Sequence, residues 1–223
     1  MRIGVLGTGV VGATIGSALV GRGHEVRMGS RTADNARAAS WRESAGARAS
    51  QGTYADAAAF GEVVLNCTAG VGSLEALDRA GHDNLRGKVL IDIANPLDFS
   101  KGMPPALAVC NTDSLGEQIQ RALPDTQVVK ALNTMTAYLM VEPSLVPGDH
   151  NVFLSGNDAA AKARVAGWLG EWFGWKPGSI VDVGDITTAR GTEMLLPIWV
   201  RLWGALGTPY FNFHIALAPP AKR

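Results

Sequence analysis

Residues 3–12 read Ile-Gly-Val-Leu-Gly-Thr-Gly-Val-Val-Gly, an apolar run that ends at Gly7 and leaves Gly7, Gly9 and Gly12 in the spacing GxGxxG. Each glycine answers a different steric demand. The first permits a tight strand-to-helix turn, the second admits a pyrophosphate to the backbone, and the third lets the helix pack on the strand. The free N–H groups of the helix N-terminus then face the anion. Spacing alone discriminates poorly in a chain with 27 glycines among 223 residues. Context supplies the rest. Ala13 to Val20 carries Ile15, Leu19 and Val20 at helical spacing, and Gly21-Arg22-Gly23 stops it before a second strand at His24 to Met28. The loop from Gly7 to Gly12 is thus a candidate dinucleotide site.

The end of the second strand selects the dinucleotide. A site for NAD normally places Asp or Glu there to hold the ribose 2′-hydroxyl. This chain has Gly29-Ser30-Arg31-Thr32, two hydroxyls and a guanidinium with no competing carboxylate. That set suits a 2′-phosphate, so NADP(H) is the expected ligand. Ser30, Arg31 and Thr32 are its candidate contacts, with Asn35 and Arg37 on the following helix in reserve. The plainer alternative makes Arg31 a surface arginine and Ser30 a helix N-cap.

A length of 223 residues is ample for one α/β unit with a real core and short for a nucleotide-binding domain plus a large substrate domain. The expected organisation is a single unit over 1–223, with a nucleotide-binding core at 1–140 and a C-terminal extension at 141–223. Twenty basic residues balance twenty acidic ones, which disfavours nucleic acid and anionic membranes as partners. Cys67 and Cys110 have no metal-ligand spacing and read as reduced core thiols. With no signal-peptide pattern ahead of the first strand, a cytoplasmic location is expected. The apolar stretch Met194 to Leu206 is interrupted by Arg201 and is shorter than the roughly 18 to 20 residues a bilayer requires. It reads as a helix buried on several sides, in the core and at a dimer contact.

The remaining apolar runs alternate with helical segments, as a doubly wound parallel sheet of the NAD(P)-binding Rossmann type demands. Glu62 to Cys67, Lys88 to Ile93 and Gln127 to Leu132 read as buried strands, each followed by a turn: Thr68-Ala69-Gly70, Asn95-Pro96 and Asn133-Thr134. Ligands of open α/β sheets lie beyond the carboxyl ends of the strands, so these turns are expected to share the crevice of the glycine loop. The Asn95-Pro96 peptide is open to either isomer. Farther on, Asn151 to Ser155 and Ser179 to Val183 read as strands, with an amphipathic helix between them at Asp158 to Phe173. A last apolar helix is expected from Thr187 onward, capped by Thr187 or Thr188. These pieces form a short α/β extension of the sheet.

No constellation for metal, acyl-transfer or glycosidase chemistry is present. The four histidines, His24, His82, His150 and His214, read as surface or turn residues, and neither catalytic nor metal-binding side chains are assigned. Lys130, inside an apolar strand, either reaches the crevice or snorkels from a strand edge. A dinucleotide site without an evident acid or base suits direct hydride transfer between two bound carriers.

Five segments, taken in order, carry a resemblance. Gly7-Thr8-Gly9-Val10-Val11-Gly12, Gly29-Ser30-Arg31, Val128-Val129-Lys130-Ala131-Leu132-Asn133-Thr134, Leu154-Ser155-Gly156-Asn157-Asp158 and Ala189-Arg190-Gly191-Thr192-Glu193 resemble the NADPH-dependent deazaflavin (coenzyme F420) reductase family. The cytoplasmic reductase domains of the STEAP metalloreductases are similar. The likeness spans nearly the whole chain. It implies NADP contacts at Gly7, Thr8, Gly9, Val10, Val11, Ser30, Arg31, Thr68, Ala69 and Asn95. It also implies that Asn133, Thr134 and Met135 border a second small-molecule carrier, coenzyme F420 or a flavin. The family pairs through C-terminal elements, which implies a homodimer. Trp199, Trp203, Tyr210, Phe211 and Phe213 then read as core or dimer contacts ahead of a flavin platform. Two other functions stay open: an imine or carbonyl reductase of the pyrroline-carboxylate reductase type, and a non-enzymatic NADP sensor.

Overall fold

The computed structural model describes residues 1–218. The first half alternates strand and helix: β1 (Arg2–Leu6), α1 (Val10–Gly21), β2 (Glu25–Ser30), α2 (Ala36–Ala45), β3 (Ala49–Thr53), α3 (Tyr54–Phe60) and β4 (Val63–Asn66). Next come α4 (Ser73–Ala80), α5 (His82–Leu85), β5 (Val89–Asp92), the two-residue pair β6 (Leu97–Asp98) and β7 (Ala106–Leu107), α6 (Leu115–Ala122) and β8 (Gln127–Lys130). The C-terminal part contributes α7 (Ala137–Val141), β9 (Val152–Ser155), α8 (Ala159–Phe173), β10 (Ile180–Gly184), α9 (Ala189–Met194) and α10 (Leu196–Leu206).

Eight of these strands form one sheet in the order β10-β9-β8-β5-β4-β1-β2-β3, so the chain reverses direction across the sheet between β1 and β4. That switch point is where an open α/β sheet leaves a crevice beyond its strand ends. The central strands are buried on both faces, which is why they read as apolar runs without alternation. Their side chains nonetheless divide with period two. Ile3, Val5, Val63, Leu65, Val89, Ile91 and Val129 pack with Ile15, Leu19 and Trp172 on one face. Leu6, Val64, Leu90 and Val128 pack with Leu77, Leu115 and Ile119 on the other.

The sheet is α/β as expected, with one departure from parallel order. β9 runs antiparallel to β8 through the pair Lys130 and Ser155, and β10 then runs parallel to β9. β3, with the sequence Ala-Ser-Gln-Gly-Thr, is an edge strand whose polar residues gave no pattern to find.

Several local expectations are corrected. The helix expected from Thr187 is two helices, because Pro197 lacks the N–H that would continue α9 into α10. Thr188 does stand at the N-cap position of α9, whereas Thr187 lies in the 3-10 turn before it. Asp185 accepts from Thr187 N at 2.9 Å in that turn, and Thr188 makes no side-chain cap hydrogen bond. Within the described residues α10 buries only Leu196 and Trp199, while Ile198, Trp203 and Leu206 are exposed. Cys67 is a core thiol, but Cys110 is exposed in the segment after β7. His150 is neither a surface nor a turn histidine: it is buried, edge-on to Trp175 at 5.2 Å. None of the described helices is long and apolar enough to cross a membrane.

Candidate functional site

The three glycines between β1 and α1 meet three different surroundings. Gly7 has φ +113°, and a Cβ there would lie 2.6 Å from the Cys67 carbonyl oxygen. Gly12 is closed by packing, since its Cβ would lie 2.1 Å from the Gly7 oxygen. Gly9 faces open space, with nothing within 4 Å of a built Cβ. Gly9 is also the N-cap of α1, where no side chain caps the helix and no acidic residue occupies the first turn. The first-turn N–H groups therefore face an open cradle, which fits a pyrophosphate. Thr8 is half-buried in this loop, Val10 is exposed and Val11 half-buried.

At the end of β2 the chain turns sharply. Ser30 is buried and its hydroxyl donates to the Thr32 carbonyl at 2.5 Å, while Arg31 and Thr32 are exposed. Arg79 on α4 donates to the Arg31 carbonyl at 3.0 Å, which adds a second guanidinium beside the turn. No spacing in the sequence links residues 31 and 79; only the packing of α4 on this edge brings them together. Asn35 serves its own helix, its side chain accepting from Ala38 N at 3.1 Å as the N-cap of α2. Arg37 and Thr8 line one groove of about 570 Å³ between α1 and α2.

Three of the predicted turns meet beyond the switch point. A cavity of about 220 Å³ is lined by Val11, Cys67, Thr68, Asn95, Leu97 and Phe99, with Ala69 and Gly70 on its wall. A Cβ on Gly70 would lie 2.0 Å from the Asn95 oxygen and 2.9 Å from Pro96 Cα, so the two loops are in direct contact. Asn95 Nδ2 donates to the Asn133 carbonyl at 2.8 Å, and Asn133 Nδ2 returns a bond to Asn95 Oδ1 at 2.9 Å. Asn133, Thr134 and Met135 are themselves buried, and the Thr134 hydroxyl has no partner. Leu132, just before them, holds a left-handed φ of 62°, a strained conformation for a non-glycine residue. Asn95-Pro96 is trans; the cis peptide is Met103-Pro104. Of the residues lining the cavity only Cys67 is titratable, and burial pushes its thiol far up.

Beneath this cavity lies a buried ionic group. Lys130 does not snorkel from an edge: β8 lies inside the sheet, and the side chain is 1% exposed. Its Nζ donates to Asp92 Oδ2 at 2.7 Å and to the Ala94 carbonyl at 2.5 Å, and lies 2.8 Å from Glu193 Oε1. Burial alone would lower its pKa, but the Asp92 and Glu193 carboxylates outweigh this and hold it above the ordinary value. Glu193 also accepts from Leu115 N at 2.9 Å and Gly116 N at 3.0 Å, capping α6 from α9. Arg190, one turn earlier, grips Glu117 through two bonds of 2.8 and 2.5 Å. The C-terminal extension is thereby tied to the strand ends that frame the crevice. A larger cavity, about 760 Å³, lies apart from all of this, between α8 and β10.

The glycine loop and its strand belong to the segment that matches a family model. Residues 2–96 match the family described as NADP oxidoreductase, coenzyme F420-dependent. A crystal structure from Arthrobacter sp. FB24, provisionally assigned as an F420-dependent NADP-reductase, is 55% identical. The likeness covers 97% of this chain and 100% of that one, with a TM-score of 0.91. Rat metalloreductase STEAP3 is 26% identical over 204 residues, 89% of this chain. The chain spans about 38% of the length of that curated relative. An imine reductase of Streptomyces aurantiacus, 18% identical with a TM-score of 0.62 over 92% of this chain and 63% of its own, shares the fold.

Proposed function

The chain belongs to the family of coenzyme F420-dependent NADP oxidoreductases, and from that premise we propose that it transfers hydride between NADP(H) and a deazaflavin of the F420 type or a flavin. The observation that carries the NADP(H) part is the division of labour among the glycines: Gly7 and Gly12 are closed by packing, and Gly9 alone is open. NADPH, when bound, supplies the hydride. The chain's part is to hold and orient.

In this reading the α1 N-terminus and the backbone from Gly7 to Gly12, including Thr8, Val10 and Val11, hold the pyrophosphate. Arg31, Thr32 and Ser30 form the 2′-phosphate end, and Arg79 braces the Arg31 backbone. Asn35 is bound to its helix and Arg37 takes the reserve place. Thr68, Ala69, Gly70, Asn95 and Pro96 frame the nicotinamide end, and Asn133, Thr134 and Met135 form the floor toward the second carrier. Val11, Leu97 and Phe99 give that end an apolar wall. Orientation of two carriers is the main catalytic lever when no acid or base is engaged. The same reading assigns the exposed Ile198, Trp203 and Leu206 of α10 to contact between two copies of the chain. Sedimentation of the purified protein tests this, a monomer at all concentrations being the adverse result.

The decisive experiment follows NADPH absorbance with oxidised F420, a flavin and a cyclic imine offered in turn. Oxidation with F420 or the flavin is expected. Oxidation with the imine alone, or tight NADPH binding with no turnover on any acceptor, overturns the proposal.

A further inference from the structure

One polar chain runs from the buried ion pair to the wall of the cavity, and its hydrogen-bond directions can be assigned link by link. Asp92, Asn66, Ser73, Lys130 and Glu193 are all essentially inaccessible to solvent. Asp92 accepts three bonds: Oδ2 takes the Lys130 ammonium, and Oδ1 takes Ala94 N at 3.2 Å and Asn66 Nδ2 at 2.8 Å. An ionised carboxylate only accepts, so the Asn66 amide nitrogen must face it. The Asn66 oxygen is left facing Thr68, whose hydroxyl donates to it at 2.7 Å and whose N–H lies 3.3 Å away.

Ser73 closes the assignment. Its oxygen accepts the second N–H of Asn66 at 3.2 Å and lies 2.7 Å from the Thr68 oxygen. The Thr68 hydrogen is committed to Asn66, so Ser73 is the donor in that 2.7 Å contact, which is shorter than its other option, the Ala69 carbonyl at 3.5 Å. Thr68 therefore has its hydrogen spent, one lone pair occupied and one lone pair free. Of the linked side chains Asp92, Asn66, Ser73, Lys130, Glu193 and Thr68, Thr68 is the one that lines the cavity. There it can only accept. The rest of the wall, with Val11, Val71, Leu97 and Phe99, suits the faces of a flat ring that carries a single polar edge.

We infer that Thr68 is a specificity-determining acceptor for the carboxamide N–H of the nicotinamide, and that Asn66 and Asp92 are positioning residues that fix its polarity. The inference rests on the NADP(H) reading above. A carboxamide presents the N–H that the free lone pair needs. A carboxylate in its place offers only acceptors and would meet that lone pair with another. The lysine of the ion pair acts at a distance: it occupies Asp92 Oδ2, Asp92 Oδ1 orients Asn66, and Asn66 consumes the Thr68 hydrogen.

The test is equilibrium binding, measured by calorimetry, of NADP⁺ and of its nicotinic acid analogue, the same dinucleotide with a carboxylate replacing the carboxamide. The wild-type protein is expected to prefer NADP⁺ by about tenfold or more, the cost of a buried unmatched acceptor. Thr68→Val should erase most of that preference, and Thr68→Ser should restore it. Two neighbours separate polarity from general support. Ser73→Ala leaves the Thr68 hydrogen committed and should keep the preference. Asn66→Ala frees that hydrogen to turn toward the ligand and should lose it. An equal preference in wild type and Thr68→Val overturns the inference and leaves the NADP(H) reading intact, as does equal behaviour of Ser73→Ala and a folded Asn66→Ala. If Asn66→Ala does not fold, the Thr68 variants decide. Failure of the wild-type protein to bind either dinucleotide overturns both.

Discussion

Asn95 and Asn133 exchange hydrogen bonds across the top of the sheet, Asn95 Nδ2 to the Asn133 carbonyl at 2.8 Å and Asn133 Nδ2 to Asn95 Oδ1 at 2.9 Å. This pair joins the loop after β5 to the loop after β8, and Gly70 abuts the Asn95 carbonyl from the loop after β4. Asn95→Ala and Asn133→Ala should each lower stability by about 1–2 kcal/mol, since each leaves a partly buried polar partner unmatched. The double variant should cost less than the sum, because both single changes remove the same contact. Urea denaturation of the four proteins checks this, strict additivity being the contrary result.

The glycine loop separates folding from binding. Gly12→Ala places a methyl 2.1 Å from the Gly7 oxygen and should cost about 1–3 kcal/mol in stability. Gly9→Ala meets nothing within 4 Å and should leave the melting temperature nearly unchanged while weakening NADPH binding. Thermal unfolding and a fluorescence titration of both variants show whether the two effects divide this way.

Lys130 is the single cation between two buried carboxylates. Lys130→Met should destabilise the fold by about 3–5 kcal/mol, because removing one member of a buried ionic group strands the others. A loss below about 1 kcal/mol in chemical denaturation would show that Asp92 and Glu193 find other compensation.

The grip of Arg190 on Glu117 gives stability a pH dependence. The Arg190 guanidinium holds the Glu117 carboxyl below its ordinary value of 4.5, with the Ser114 hydroxyl helping against burial. A depressed folded-state pKa contributes stability that is fully present above the unfolded value and is lost as pH falls through the folded one. Arg190→Ala should lower stability near neutral pH, the loss being moderated by the partial exposure of Arg190. The gap from wild type should narrow as pH drops below 4.5. Denaturation midpoints across acidic pH read this directly.

Arg31 is exposed beside the β2 turn, and among the described residues its side chain makes no hydrogen bond or ion pair. Arg31→Ala should weaken NADPH binding about tenfold or more through the lost charge-assisted contact, with NADH binding little altered and stability within about 0.5 kcal/mol. Parallel loss for both nucleotides would remove Arg31 from 2′-phosphate selection.

Much of the frame was legible in the chain. β1, β4, β5 and β8 are continuous apolar runs because both sheet faces are covered, and their expected limits fall within a residue or two of those observed. The glycine loop and the turns at Thr68, Asn95 and Asn133 were placed at strand ends by the same pattern, and the structure brings Thr68, Gly70 and Asn95 onto one cavity. β3 was hidden because an edge strand needs no apolar run. The division of the last helix and the exposure of α10 were missed because apolar composition does not say which face finds a partner.

The sequence by itself determined what is local: where strands end, where the backbone must be glycine, and that no carboxylate stands at the end of β2. Those outcomes depend on steric and charge demands within a few residues. Only the tertiary structure decided which distant groups meet. Lys130 finds Asp92 and Glu193, Arg79 reaches the Arg31 backbone, and Asn66 sets the direction of the Thr68 hydroxyl. The partners of an interior charge or hydroxyl are chosen by strand order and helix packing, and burial then forces every donor and acceptor among them to be matched.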